Sequence, residues 1–257
     1  MKRFGRAVQV MSLGLVGFLP VAVFSQAPVV PAARGVPESS CCGPITPAGQ
    51  ELLKVLDGMD VEHLWQANMH VDWVTGKSEG PSTSVGKFSH THCSAFAAAV
   101  GERLEVYMLR PPEHSQTLLA SAQGKWFETD KARERGWVRV STTEEAQRLA
   151  NEGELVVLNF QNPDPEYSGH IAVVRPAVKS REVLAADGPE TIQAGKTNFS
   201  DGNAKRSFQS HEGAWPSQVT MWAHRTKLQG ASPDVEEPGP SAEPQKPMEP
   251  LQERPAP

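Results

Sequence analysis

Only three cysteines occur in 257 residues, and two of them, Cys41 and Cys42, are adjacent. The chain can therefore close at most one internal disulfide, and one thiol is always left over. CxxC and HExxH, two common zinc-ligand spacings, are both missing. Clusters of Lys and Arg are missing beyond the first six residues, so there is no concentrated cationic face of the kind that nucleic-acid binding requires. No internal repeat is visible, and no apolar run after Phe24 is long enough to cross a bilayer.

The two ends of the chain differ in composition from the body. Met1 to Ser25 has the pattern of a secretory leader: Lys2, Arg3 and Arg6, then an apolar run from Val8 to Phe24. Small residues follow, with cleavage expected after Ser25 because Pro28 disfavours a site after Ala27. The expected location is periplasmic or secreted, in a bacterium. Residues 26–40 form a linker rich in Pro and Ala. Residues 230–257 are dense in Pro and Glu without an aromatic side chain, and are expected to be a disordered tail available to a protein partner. Between them, Cys41 to Gln229 is long enough for one domain with its own core. The formal charge is −5, and loss of the three leader cations takes it to about −8. Export permits disulfides. Cys41 and Cys42 can close on each other, pair with another chain, pair with Cys93, or remain partly exposed thiols. The residues before Cys41, VPESS, lack the apolar run of a lipid-attachment site.

Within the body, helical patterns come first. Thr46-Pro47 opens a helix carrying Leu52, Leu53, Val55, Leu56 and Met59, broken near Gly58. Residues 70–86 read as a turn-rich loop leading to His90. A second helix starts at Cys93 and ends before Pro111-Pro112. A third spans roughly Pro112 to Phe127, and a fourth covers Thr142 to Asn151, with Thr143 as cap and Gly153 as stop. Short β-rich runs follow at 154–160, 170–176, 181–186, 190–195 and 218–225. Helices first and strands second predict an α+β domain with a mainly antiparallel sheet.

Cys93 at a helix start is the residue with chemical potential. A free thiol has a pKa of about 8.5, and a helix N-terminus stabilises an adjacent anion by roughly 0.3 to 1 kcal/mol, less than one pKa unit. A nucleophilic Cys93 therefore needs an imidazole. His170 is the candidate: it follows Gly169, which leaves room for a substrate backbone, and it opens the apolar run Ile171-Ala172-Val173-Val174. HCSAF at a helix start, followed by GHIAVV at a strand start, resembles the papain-like cysteine amidases of bacterial cell-wall metabolism, the NlpC and CHAP families. The resemblance covers roughly Gly86 to Ala223 and lies mainly in these two motifs. It implies a helical subdomain carrying Cys93 packed on an antiparallel sheet, and hydrolysis of an amide bond in peptidoglycan stem peptides or their muramoyl link without a cofactor or metal. It also implies a polar residue on a following strand that orients His170. Gln193 is preferred, with Asp187 and Asn198 as alternatives. His92 departs from the Asp, Asn or Gln these families place before the nucleophile, and the segment Leu109 to Asn151 is longer than in compact members.

Two other readings stand beside this one. His90, His92 and Cys93 put three zinc-ligating residue types within four positions. A non-catalytic cell-wall or protein-binding domain on the same fold would use its aromatic residues and its tail as functional surfaces. The oxyanion hole of an amidase would use the backbone N–H of Cys93 and a second donor that the sequence does not identify. His90, His92 and Asp72 are further residues expected near the cleft. The six tryptophans are expected in the core or the cleft, and Asp164, Glu166 and His224 are expected in structural or solvated positions.

Overall fold

The computed structural model describes residues 40–82 and 90–229. The expected leader, nearly all of the linker and the Pro/Glu tail lie outside the described residues. Helix α1 spans Pro47–Asp57; the Thr46 hydroxyl accepts from the Gly49 N–H, and proline stands where its missing N–H costs nothing. Its face bearing Leu52 and Leu56 is fully buried, and the helix stops at Gly58. Residues 70–86 are not only loop. Strands β1 (Met69–Val71) and β2 (Ser78–Pro81) pair antiparallel there, with a register shift at His70/Val71. The strands are too short, and too exposed on β2, to show a two-residue period.

Helix α2, Cys93–Arg103, is buried from Cys93 through Gly101. Ala95, Ala97, Ala98 and Ala99 keep its girth small, so it lies directly on the sheet. The expected helix from Pro112 begins only at Leu119: α3 is Leu119–Phe127, and turns occupy the segment before it. Helix α4 (Asp130–Glu134), strand β3 (Val138–Val140) and helix α5 (Thr143–Asn151) follow. The cap of α5 is Thr142, whose hydroxyl accepts from the Glu145 N–H, and Thr143 is already helical.

Next come β4 (Leu155–Phe160), β5 (His170–Val174), α6 (Arg181–Asp187), β6 (Glu190–Gln193), β7 (Phe199–Asn203), α7 (Ala204–Phe208), β8 (Val219–His224) and a short 3-10 turn, Lys227–Gln229. The expected strand at 181–186 is helical instead. Ser180 caps it by accepting from the Val183 N–H, and only Leu184 is buried, a one-sided burial that a core strand would not satisfy.

Six strands form one antiparallel sheet in the order β3-β8-β4-β5-β6-β7. Strands β4 and β5 are buried at every residue, and alternation divides their side chains between two cores. Leu155, Val157, Ile171 and Val173 join α1, α2 and α3 on one face. Val156, Leu158, Phe160, Ala172 and Val174 join α5 and α7 on the other. The fold is α+β, with the cysteine-bearing helix packed on an antiparallel sheet. Cys41 and Cys42 form a vicinal disulfide, and the Cys41 N–H donates to the Lys179 carbonyl. Cys93 is free. No helix among the described residues is long and apolar enough to cross a membrane.

Candidate active site

Cys93 is the first residue of α2, and the His92 side chain makes no capping bond to that helix. Cys93 is 4% exposed as a residue, and burial pushes its thiol pKa up from the ordinary value. The backbone N–H of Ile171 opposes that shift, followed by those of Ser94 and Cys93 and the hydroxyl of Thr91. Since Ile171 immediately follows His170, the sulfur lies beside the start of β5. Two segments some eighty residues apart in sequence are thereby joined.

His170 opens β5 opposite Phe160 of β4. The side of Gly169 on which a Cβ would stand is filled by protein rather than left open for substrate. A methyl there would collide with the Phe160 carbonyl oxygen and approach the Ser121 hydroxyl, which accepts from the Gly169 N–H at 3.0 Å. This glycine fixes the strand's entry. The imidazole is buried, which lowers its pKa to about 4 against the opposing effect of its hydrogen bond to Gln193.

That hydrogen bond defines the ring's chemistry. His170 Nε2 lies 2.7 Å from Gln193 Oε1, while Gln193 Nε2 donates to the Thr197 carbonyl at 3.1 Å. Reversing the amide would set two oxygens against each other at Thr197, so Oε1 must face the histidine. Nε2 therefore carries the proton and donates it, and Nδ1 holds the lone pair. A base at Nδ1 with its distal nitrogen anchored is the arrangement that general-base chemistry requires.

The other two residues considered for orienting His170 stand elsewhere. Asp187 ends α6 and lies 3.7 Å from Lys205 Nζ. Asn198 donates to the carbonyls of Val61, Leu64 and Trp65, holding the segment after α1 against the β6–β7 hairpin. His92 is turned to the Met69 carbonyl at 3.0 Å, with its pKa lowered by burial, and His90 is exposed. Among the described residues no three His, Cys, Asp or Glu side chains converge as metal ligands, so His90, His92 and Cys93 do not form the zinc site their spacing allowed. Asp72 accepts from the backbone and hydroxyl of Thr75, and shapes a turn. Asp164 and Glu166 are exposed, and Asp164 Oδ1 accepts from the Glu166 N–H; His224 interacts with the Arg135 and Arg225 carbonyls.

A cleft of about 790 Å³ opens over His170 and Gln193, reaching Thr91 on one side and Arg206 and His211 on the other. Cys93 lies beneath this lining and not on it. None of the six tryptophans lines the cleft; Trp215 lines an adjacent cavity, and Trp65 and Trp137 are wholly buried. His211 is a residue the sequence did not mark. Its ring stacks on His170 with centroids 5.5 Å apart and 27° between planes, while Phe208 meets His170 edge-on at 5.2 Å. Burial and the neighbouring His170 lower the His211 pKa to about 4. The stretch SFQSHEG carries no spacing that would announce this contact. Thr91, inside the HTHC motif, lies between two residues of metal-ligating type and has no sequence signature of its own for a contact with the sulfur.

No protein-family model matches this chain, and no curated protein matches it.

Proposed function

We propose that the protein is an exported cysteine amidase that hydrolyses amide bonds of peptidoglycan stem peptides, with papain-like chemistry of the NlpC and CHAP kind. The observation that carries the reading is the Gln193–His170 hydrogen bond, which leaves a lone pair on Nδ1 of an imidazole whose following residue adjoins the Cys93 sulfur. The cleft over this pair supplies a place for an extended peptide.

A raised thiol pKa and an imidazole pKa of about 4 keep the resting pair neutral at pH 7. His170 then acts as general base and not as a preformed imidazolium. As the sulfur attacks the carbonyl carbon, Nδ1 takes the thiol proton; the tetrahedral oxyanion is met by backbone N–H groups at the start of α2. The C–N bond breaks, the imidazolium returns the proton to the leaving amine, and a thioester remains. Water, deprotonated by His170, releases the new carboxylate and restores the thiol. The covering side chains must part for a carbonyl to reach the sulfur, and Thr91 marks the cleft side of that cover.

The burial of Cys93 favours a second reading, a binding domain that retains the fold without turnover. Purified peptidoglycan separates the two. Soluble fragments released by the protein and not by Cys93→Ala support the amidase. Retention on the polymer, equal in both proteins and without release, supports the binding domain.

A further inference from the structure

The cleft is electrostatically lopsided in a way its catalytic pair does not require. Among its described lining residues Lys196 and Arg206 are cations, and Glu212 is the one carboxylate. Neither cation forms an ion pair among the described residues, although the chain as a whole has an excess of five negative charges. Both side chains are exposed, so each is available to an anion that enters the cleft.

Lys196 lies on the β6–β7 turn and Arg206 on α7, the helix that follows β7. Lys196 follows Gly195, at which a Cβ would stand 3.4 Å from His170 Cε1, so the backbone bearing the lysine passes the imidazole. Arg206 lies with its guanidinium carbon 4.3 Å from the centroid of the Phe199 ring, and Phe199 is the register partner of Gln193. Its Nη1 donates to the Asp201 carbonyl at 3.4 Å, which leaves most of its donors unused. The ring and the carbonyl restrain the guanidinium before any ligand arrives, which reduces the ordering cost of binding.

We propose that Lys196 and Arg206 form a carboxylate-reading subsite, so that the preferred substrate is a peptide bearing a free carboxylate close to the amide being cut. The proposal rests on the amidase reading above. A guanidinium accepts a carboxylate in bidentate fashion and the flexible lysine adds a second charge, a combination that distinguishes a carboxylate from its amide. Glu212, beside His211 in the segment after α7, repels the same group.

The test uses soluble muropeptides in two forms, with free carboxylates and after carbodiimide coupling to ammonia, which converts them to amides. Wild-type protein is expected to cleave the free form with kcat/KM higher by about tenfold, a preference that added salt erodes. In the doubly substituted Lys196→Gln, Arg206→Gln protein the ratio of the two rates falls toward one, mainly through KM on the free form. Equal wild-type rates on both forms, or a preference that survives the double substitution, overturns the subsite and leaves the amidase standing. Failure of wild type to cleave either form overturns the amidase reading and the subsite with it.

Discussion

Gln193 holds His170 by one hydrogen bond, and its loss strands a buried N–H. Gln193→Ala is expected to lower stability by about 1–3 kcal/mol and turnover on the order of 10²-fold, read from urea denaturation and initial rates. Gln193→Glu is the sharper substitution: a carboxylate against Nε2 favours imidazolium, so the acid-side loss of kcat/KM moves above the wild-type value of about 4. An acid limb that stays in place would detach His170 from the rate. The three residues of this site were legible because each has a local signature: a small-residue helix start at Cys93, a Gly-His before an apolar run, and a glutamine on β6, the strand that follows. Glycine at 169 was legible as a constraint, yet its reason was not, since the colliding atom belongs to Phe160 on another strand. His211 and Thr91 were not legible as partners, because stacking from the segment after α7 onto the start of β5 and proximity to a sulfur are properties of three-dimensional packing alone.

Helix α2 shows how an element positions chemistry. Its alanines let the backbone approach the sheet closely enough to bring the sulfur to Ile171, so enlargement there is expected to push Cys93 away from β5. Ala98→Leu should cost about 1–3 kcal/mol by thermal or denaturant unfolding and reduce turnover more than that loss explains. Asn198 provides the contrasting case. It ties the loop after α1 to the β6–β7 hairpin through three carbonyls, so Asn198→Ala is expected to lower stability by about 1–3 kcal/mol while the folded fraction keeps its kcat. A kcat that collapsed in folded protein would give Asn198 a part in orienting His170 that the geometry assigns to Gln193. Elements with strong two-core burial, β4 and β5, were plain in the sequence. The 181–186 run was not, since Val183 and Leu184 suit strand or helix equally and the Ser180 cap decided the matter.

At the scale of the whole molecule, the buried imidazoles tie stability to pH. His170 has its pKa lowered from 6.5 to about 4 in the folded state, so folding excludes a proton that the unfolded chain binds. The stability this contributes is fully present above pH 6.5 and is lost as pH falls through 4. For His170 alone the loss is on the order of 3 kcal/mol, and His211, lowered by burial and by His170, acts in the same direction. The urea midpoint should therefore fall between pH 7 and pH 4; an unchanged midpoint would mean that neither imidazole is held neutral by burial. The architecture also explains why a cysteine, a histidine and a glutamine scattered over a hundred residues form one site: α2 brings the thiol to the sheet, β5 brings the base, and the adjacent β6 fixes the base. The most direct test of that account is digestion of purified peptidoglycan in oxygen-18 water by the protein and by Cys93→Ala, with fragments read by mass spectrometry. The account predicts fragments from the wild type alone, each cut yielding one new amine and one new carboxylate carrying a single heavy oxygen. Fragments formed equally by Cys93→Ala, or heavy oxygen at a sugar carbon in place of a carboxylate, would contradict it.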